Sequence, residues 1–138
     1  YGINVVTGKR EALIRAKQTS TGQGVRYPSL FDSMPQYPNK IIITMNRMPQ
    51  FPWRFRDLYW LDLDTKQTTK IAEVPDIKNE WHQQWLIDHD GNARGFITNH
   101  DDRKDREPNG ARDGLYTYVY LMDPKTKKYS RMASCKHQ

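Results

Sequence analysis

Apolar residues come in short runs along this chain, separated by polar stretches, and the runs are too brief for amphipathic helices. Leu58 to Val74 shows the pattern best: Leu-Tyr-Trp-Leu, a mostly polar stretch, then Ile71-Ala72. An aromatic run, a polar turn and a shorter return run predict a β-hairpin. The pattern occurs three times. Tyr1-Gly-Ile-Asn-Val-Val-Thr-Gly-Lys opens the chain and returns through Leu13-Ile14; Tyr120-Leu-Met-Asp-Pro-Lys-Thr-Lys-Lys returns through Met132-Ala133. Tyr1, Tyr59 and Tyr120 align, as do Asn4, Asp62 and Asp123, then Thr7, Thr65 and Thr126, at offsets of 58 and 61 residues. Self-similarity at near-constant spacing marks a repeat architecture.

The remaining segments complete the unit. Ser29 to Asp32 is a short strand, Met34 to Asn39 a proline-punctuated turn, and Lys40 to Asn46 a β-branched run expected to be buried on both faces. Trp85 to Asp88 and Ala93 to Thr98 repeat that pair, with Phe31-Asp32 answering to Ile87-Asp88 and Ile43-Thr44 to Ile97-Thr98. Lys17 to Gly24 and Pro75 to Gln84 read as connectors, Asn99 to Asp113 as a charged loop, and Arg10 to Lys17 fits a helical or an extended period equally. Gly8 suits a left-handed turn position; Lys66 and Lys127 stand at the same place, where a Cβ costs about 1 kcal/mol, so another turn type is expected there. The prediction is an all-β chain, a partial β-propeller of about two and a half four-stranded antiparallel blades: a half blade at 1–16, a blade at 29–72 and a blade at 85–133. A β-sandwich or open meander is the rival arrangement for short strands at this spacing.

Composition narrows the classes. Hydrophobic residues make up 36% and charged residues 28%, but four Trp, eight Tyr and four Phe supply enough burial for an ordered core. The net charge is +6, yet the basic residues are interleaved with acids, as in Asp101-Asp102-Arg103-Lys104-Asp105-Arg106-Glu107. A nucleic-acid site needs clustered cations beside stacking platforms, so no nucleic-acid partner is expected. No run reaches the ~20 apolar residues that span a bilayer, and no membrane partner is expected. Tyr1 falls inside an expected strand, so the chain reads as part of something longer. The lone Cys135 excludes an internal disulfide and leaves the compartment open.

Candidate chemistry is sparse. Ser20, Ser29, Ser33, Ser130 and Ser134 all lack the flanking glycines of a Gly-x-Ser-x-Gly elbow, and His82, His89, His100 and His137 read as solvated residues of connectors, turns or the tail. No catalytic residue is assigned. Asp101, Asp102, Asp105 and Glu107 lack the spacing of a calcium loop, and no metal or other cofactor is expected. Arg94 is expected to brace a turn by forking onto Asp88 or Asp90; Trp60, Trp81 and Trp85 read as core. The loop from Asn46 to Arg56 carries Phe51, Trp53, Arg54 and Phe55, residue types that dominate binding hot spots. It reads either as a cover over its own sheet edge or as a contact for a neighbouring domain or substrate.

A family likeness rests on two motifs. Tyr59-Trp-Leu-Asp-Leu-Asp-Thr-Lys-Gln67, followed by Trp85-Leu-Ile-Asp-His-Asp-Gly-Asn-Ala-Arg94, resembles the N-terminal propeller of prolyl-oligopeptidase-like serine peptidases, in the acylaminoacyl- and dipeptidyl-peptidase branches. There a "LY-x-LDL-x-TGK" hairpin precedes "W-x-x-D-x-DG-x-x-R", which puts Tyr59, Asp62, Trp85, Asp88, Gly91 and Arg94 in structural roles. Lys66 replaces the expected glycine, and the loop before Leu58 is longer and more aromatic. The likeness covers most of residues 28 to 98. It implies a non-catalytic part that gates peptide substrates and contacts a separate α/β-hydrolase domain of the parent chain. A stand-alone protein-binding or oligomeric scaffold of such blades is the alternative. Two and a half blades cannot close a ring, so self-association through the N-terminal hairpin is also expected.

Overall fold

The computed structural model describes residues 2–3, 8–14, 17–18, 25–26, 28–47, 56–101 and 114–136. Every regular element among them is a strand. β1 (Gly2–Ile3) pairs with β2 (Arg10–Glu11), and β3 (Lys17–Gln18) with β4 (Val25–Arg26). β5 (Pro28–Asp32), β6 (Lys40–Asn46), β7 (Arg56–Asp62) and β8 (Thr68–Ala72) form a four-stranded antiparallel sheet in chain order. β9 (Glu80–Ile87), β10 (Ala93–Asp101), β11 (Leu115–Met122) and β12 (Tyr129–Lys136) form a second. Tight turns join most neighbours, and strands consecutive in sequence pair most readily. The chain divides into two compact units, one with the hairpin and first sheet up to Glu73, the other with the second sheet from Val74.

The three hairpins are the same object. Gly2 faces Glu11 and Ile3 faces Arg10; 58 residues on, Trp60 faces Thr69 and Leu61 faces Thr68; 61 further, Leu121 faces Ser130 and Met122 faces Tyr129. Each sheet also carries a bulge at the same place, between Leu58 and Tyr59 and between Val119 and Tyr120, which leaves Ile71 and Met132 as the extra residues. Tyr59 and Tyr120 therefore occupy matching positions on the third strand of each sheet. The turns match as well. Gly8, Lys66 and Lys127 have φ of 66°, 60° and 58°. The expectation of a different turn type at the two lysines is wrong: the hydrogen bonds of the turn outweigh a left-handed penalty of about 1 kcal/mol.

Several boundaries differ from the sequence expectation. The first hairpin returns through Arg10–Glu11, ahead of Leu13-Ile14, and the connector after it contains the short β3–β4 ladder. β9 begins at Glu80, so Trp81 to Gln84 are strand; β10 runs on to Asp101 and β12 to Lys136. Polar side chains at Glu80, Gln83 and Gln84 hide this strand from a hydrophobicity pattern, and cross-strand partners create it. The first-half equivalence is one residue out of step. Ile43 faces Tyr59 and Phe96 faces Tyr120, so Ile43 matches Phe96, with Thr44 matching Ile97.

In the first unit Ile42, Ile43, Leu58 and Leu61 are buried, from both faces of the sheet. Leu13 and Ile14, just past the first hairpin, line one groove with Leu30, Ile41, Ile43 and Leu61. Lys66 Nζ reaches Glu11 at 2.6 Å. The hairpin thus lies against one face of the first sheet. In the second unit Phe96 is the hub: Tyr120 stacks on it at 4.9 Å, and Tyr129 and Trp85 meet it edge-on at 4.9 and 5.8 Å. Trp85 and Phe96 are essentially inaccessible, each contributing about 2–3 kcal/mol of burial.

Candidate functional site

Of the expected structural residues, Asp62 and Asp88 build turns with their own side chains, whereas Tyr59 and Trp85 lie within β7 and β9. Asp62 Oδ1 accepts the backbone N–H groups of Asp64 at 3.0 Å and Thr65 at 2.8 Å; Asp123 Oδ1 accepts those of Lys125 at 2.7 Å and Thr126 at 3.2 Å. Such turns need a short side-chain acceptor at the first position, which explains the recurring Asp. The bond from Thr65 and that from Lys125 are the leading reasons that these two carboxyls lie below their ordinary range. Tyr59, opposite Lys70, carries its ammonium 5.9 Å from the ring centroid.

The β9–β10 turn is a tighter clasp. Asp88 Oδ1 accepts from the backbone of Asp90 and Asn92, and Arg94 forks onto Oδ2 through Nε at 2.8 Å and Nη2 at 2.6 Å. Burial opposes ionisation here, but the Asn92 and Arg94 hydrogen bonds and the Arg94 charge outweigh it and bring the Asp88 carboxyl down to about 2. Gly91 holds φ at 79° and donates to the Asp88 carbonyl at 3.0 Å. Of the two acids open to Arg94, the structure selects Asp88.

Phe51, Trp53, Arg54 and Phe55 lie outside the described residues. The roots of their loop do not. Asn46 pairs with Arg56 across β6 and β7, and Arg47 holds the buried Asp57 through Nη2 at 2.6 Å and Nε at 3.0 Å. Arg47 also reaches Glu73 at 3.2 Å, and Glu73 takes Lys70 at 2.9 Å. The hydrogen bond to Asp57 is the main reason the Arg47 guanidinium is held even more firmly protonated than usual. The ion pair thus ties the end of β6 to the start of β7.

Sequence reasoning missed a polar knot in the second unit. Glu80 is buried at 8% exposure, its Oε2 accepting from Thr98 Oγ1 at 2.5 Å and its Oε1 from the Tyr120 hydroxyl at 2.9 Å. Burial first, then the Glu80 hydrogen bond and charge, push the Tyr120 phenol up to about 12. The Tyr120 hydroxyl and the Thr98 hydroxyl, both donating to the Glu80 carboxyl, brace β9, β10 and β11 together. His82 is buried beside Trp85, and His100 lies in β10 near Tyr118, so both belong to strands and not to solvated connectors. His89 is exposed in its turn, as expected, and His137 lies outside the described residues. Trp85 is buried as expected of a core residue, whereas Trp60 and Trp81 are half-buried.

None of the described serines is paired with a His, Asp or Glu side chain. The Ser29 hydroxyl accepts from Arg56 at 2.6 Å, and Ser130 and Ser134 are exposed on β12. Among the described residues no group of three or more His, Cys, Asp or Glu side chains is placed to hold a metal ion. No helix among them is long and apolar enough to cross a membrane. The arrangement can brace sheets and present loops. No protein-family description, curated protein or solved structure matches the chain.

Proposed function

We propose that the chain is a run of propeller blades forming the non-catalytic part of a serine peptidase of the prolyl-oligopeptidase family, where it gates peptide substrates and contacts a separate α/β-hydrolase domain. The observation that carries the blade reading is the repeat. A hairpin with one register and one left-handed turn residue recurs three times, and two of the copies carry a bulge at the same position and close a four-stranded meander. The first hairpin lying against a face of the first sheet is how blades stack. The family reading rests on the likeness of residues 28 to 98 and on serines without elbow glycines.

The test is labelling by a fluorophosphonate. The full reading frame that carries the chain should be labelled at one serine outside these residues, in a Gly-x-Ser-x-Gly context. The 138-residue chain by itself should stay unlabelled and leave aminoacyl and dipeptidyl amides intact. Labelling of Ser29, Ser33, Ser130 or Ser134 would refute the non-catalytic role. A full-length protein with no reactive serine would favour the scaffold instead.

A further inference from the structure

The two sheets supply an internal comparison, because the β7–β8 and β11–β12 turns share backbone geometry, register and the Asp-x-x-Thr cap. Whatever surrounds one turn and not the other is not required by the turn. Around the first lies a cavity of about 320 Å³ lined by Lys40, Trp60, Asp62, Thr65, Gln67 and Thr69. Asp62 and Thr65 are explained by the cap. The other residues are not. Lys40 faces Asp62, and Trp60 faces Thr69; their counterparts by register in the second sheet are Ala93 and Leu121.

The site is held rigidly. The Asn39 carbonyl accepts from the Leu63 backbone at 2.8 Å, and the Asn39 amide donates to Asp64 at 2.8 Å, so the β5–β6 loop is tied to the β7–β8 turn. That loop spans Ser33 to Asn39, longer than its counterpart from Asp88 to Asn92, and the extra length brings Tyr37 edge-on to Trp60 at 5.4 Å and 79°. Lys40 lies near enough to lower the Asp62 carboxyl, yet the two make no direct ion pair. Among the described residues neither the Lys40 ammonium nor the Gln67 amide has a side-chain hydrogen-bond partner.

We infer that this cavity binds the pyranose ring of a neutral saccharide. Each part of the lining matches a part of that ligand. The C–H face of a pyranose carries partial positive charge and seats on the electron-rich face of an indole. A ring hydroxyl both donates and accepts, so one hydroxyl can accept from Lys40, which makes no direct pair with Asp62, while donating to the acceptor capacity that the Asp62 carboxylate keeps beyond its two cap bonds. Gln67 and Thr69 offer further hydroxyl partners at the rim. A volume near the lower bound of roughly 300 Å³ for ligand pockets suits one sugar ring. One cation and one anion in the lining leave the site without net charge, so a singly charged ligand gains little from it over a neutral one. The inference stands apart from the peptidase reading, since it uses only the first unit.

The experiment is a titration of the full chain with methyl α-glucoside, methyl α-mannoside, methyl β-galactoside and N-acetylglucosamine, followed by amide and indole NMR shifts, with glycerol as the control. At least one sugar should saturate in the millimolar range, moving the Trp60 indole and the Lys40 and Gln67 signals. Trp60→Leu, which takes the residue of the second sheet, should weaken binding at least about tenfold, and Lys40→Ala several-fold, with unchanged circular dichroism. Retained affinity in Trp60→Leu, equal shifts with glycerol, or no saturable response to any of the four sugars would overturn the inference. Should Trp60→Leu fail to fold, Lys40→Ala and Gln67→Ala decide, because both positions are exposed.

Discussion

Gly95→Ala tests the register of the second sheet at its tightest point. A Cβ built on Gly95 meets the Tyr120 carbonyl oxygen at 2.1 Å, the Tyr120 carbonyl carbon at 3.2 Å and Leu121 Cδ2 at 3.0 Å. Leu121 is 42% exposed and can turn away, but the carbonyl belongs to the β10–β11 ladder and cannot. Carbon and oxygen normally approach no closer than about 3.3 Å, so the strands must part by roughly 1 Å. That stretch takes the nearest ladder hydrogen bonds from about 2.9 Å beyond the useful range near 3.5 Å. Two such bonds at about 1 kcal/mol each, with loosening of the Phe96–Tyr120 stack, predict a loss of about 3 kcal/mol. The glycine is not a demand of the repeat. Its counterpart in the first sheet is Ile42, fully buried opposite Trp60. The difference lies in the bulge nearest this pair: the first sheet has it on β5, between Leu30 and Asp32, and the second on β10, between Ala93 and Gly95, with a further shift at Ile97–Thr98 that leaves Gln83 of β9 extra. Urea unfolding followed by tryptophan fluorescence measures the loss, and the melting temperature should fall by about 10 °C. Gly8→Ala is the control, with open space around its Cβ and only the left-handed penalty of about 1 kcal/mol. A Gly95→Ala protein within about 1 kcal/mol of the parent would refute the close approach of β10 and β11.

Three further outcomes are expected. Lys127→Gly relieves a left-handed lysine and should raise stability by about 0.5 kcal/mol in urea unfolding, the gain being reduced by the chain entropy of glycine. Arg47→Met should cost about 3 kcal/mol because it leaves the buried Asp57 carboxylate short of its cation, and Arg47→Met with Asp57→Leu should cost less than Arg47→Met alone in a double-mutant cycle. Asp88 has a depressed folded value of about 2, so its contribution is fully present above the unfolded value near 3.9 and is lost as pH falls toward 2. It amounts to at most about 2 kcal/mol, and Asp88→Asn should flatten the change in urea midpoint between pH 5 and pH 2.

Part of this fold is settled by residues that are neighbours along the chain. An Asp whose carboxylate caps the next two or three backbone N–H groups makes a turn without help from the rest of the chain. A turn of fixed length then sets the register of both strands that leave it. The β7–β8 and β11–β12 hairpins, the match of Tyr59 with Tyr120, and the Asp88–Arg94 clasp were legible for that reason; Tyr1 and Asn4, aligned with them in sequence, lie outside the described residues. So was Lys40 to Asn46, whose β-branched run suits burial on both faces. Tertiary structure decided whatever depends on partners brought from other strands. Glu80 to Gln84 became strand because Thr98 and Tyr120 satisfy a buried carboxylate, and no local signal marks Glu80 as paired. His82 was buried by the rings of Trp85 and Phe96, which lie across the sheet from one another. Asp57 took Arg47 across a loop whose length says nothing about where its ends meet. Gly95 rather than a larger residue was required by a bulge whose choice of strand the repeat leaves open. The cavity beside Trp60 also exists only once β6 is in register with the β7–β8 hairpin, because Lys40 is distant in sequence from Asp62 and Thr69 and becomes their neighbour through interstrand hydrogen bonds.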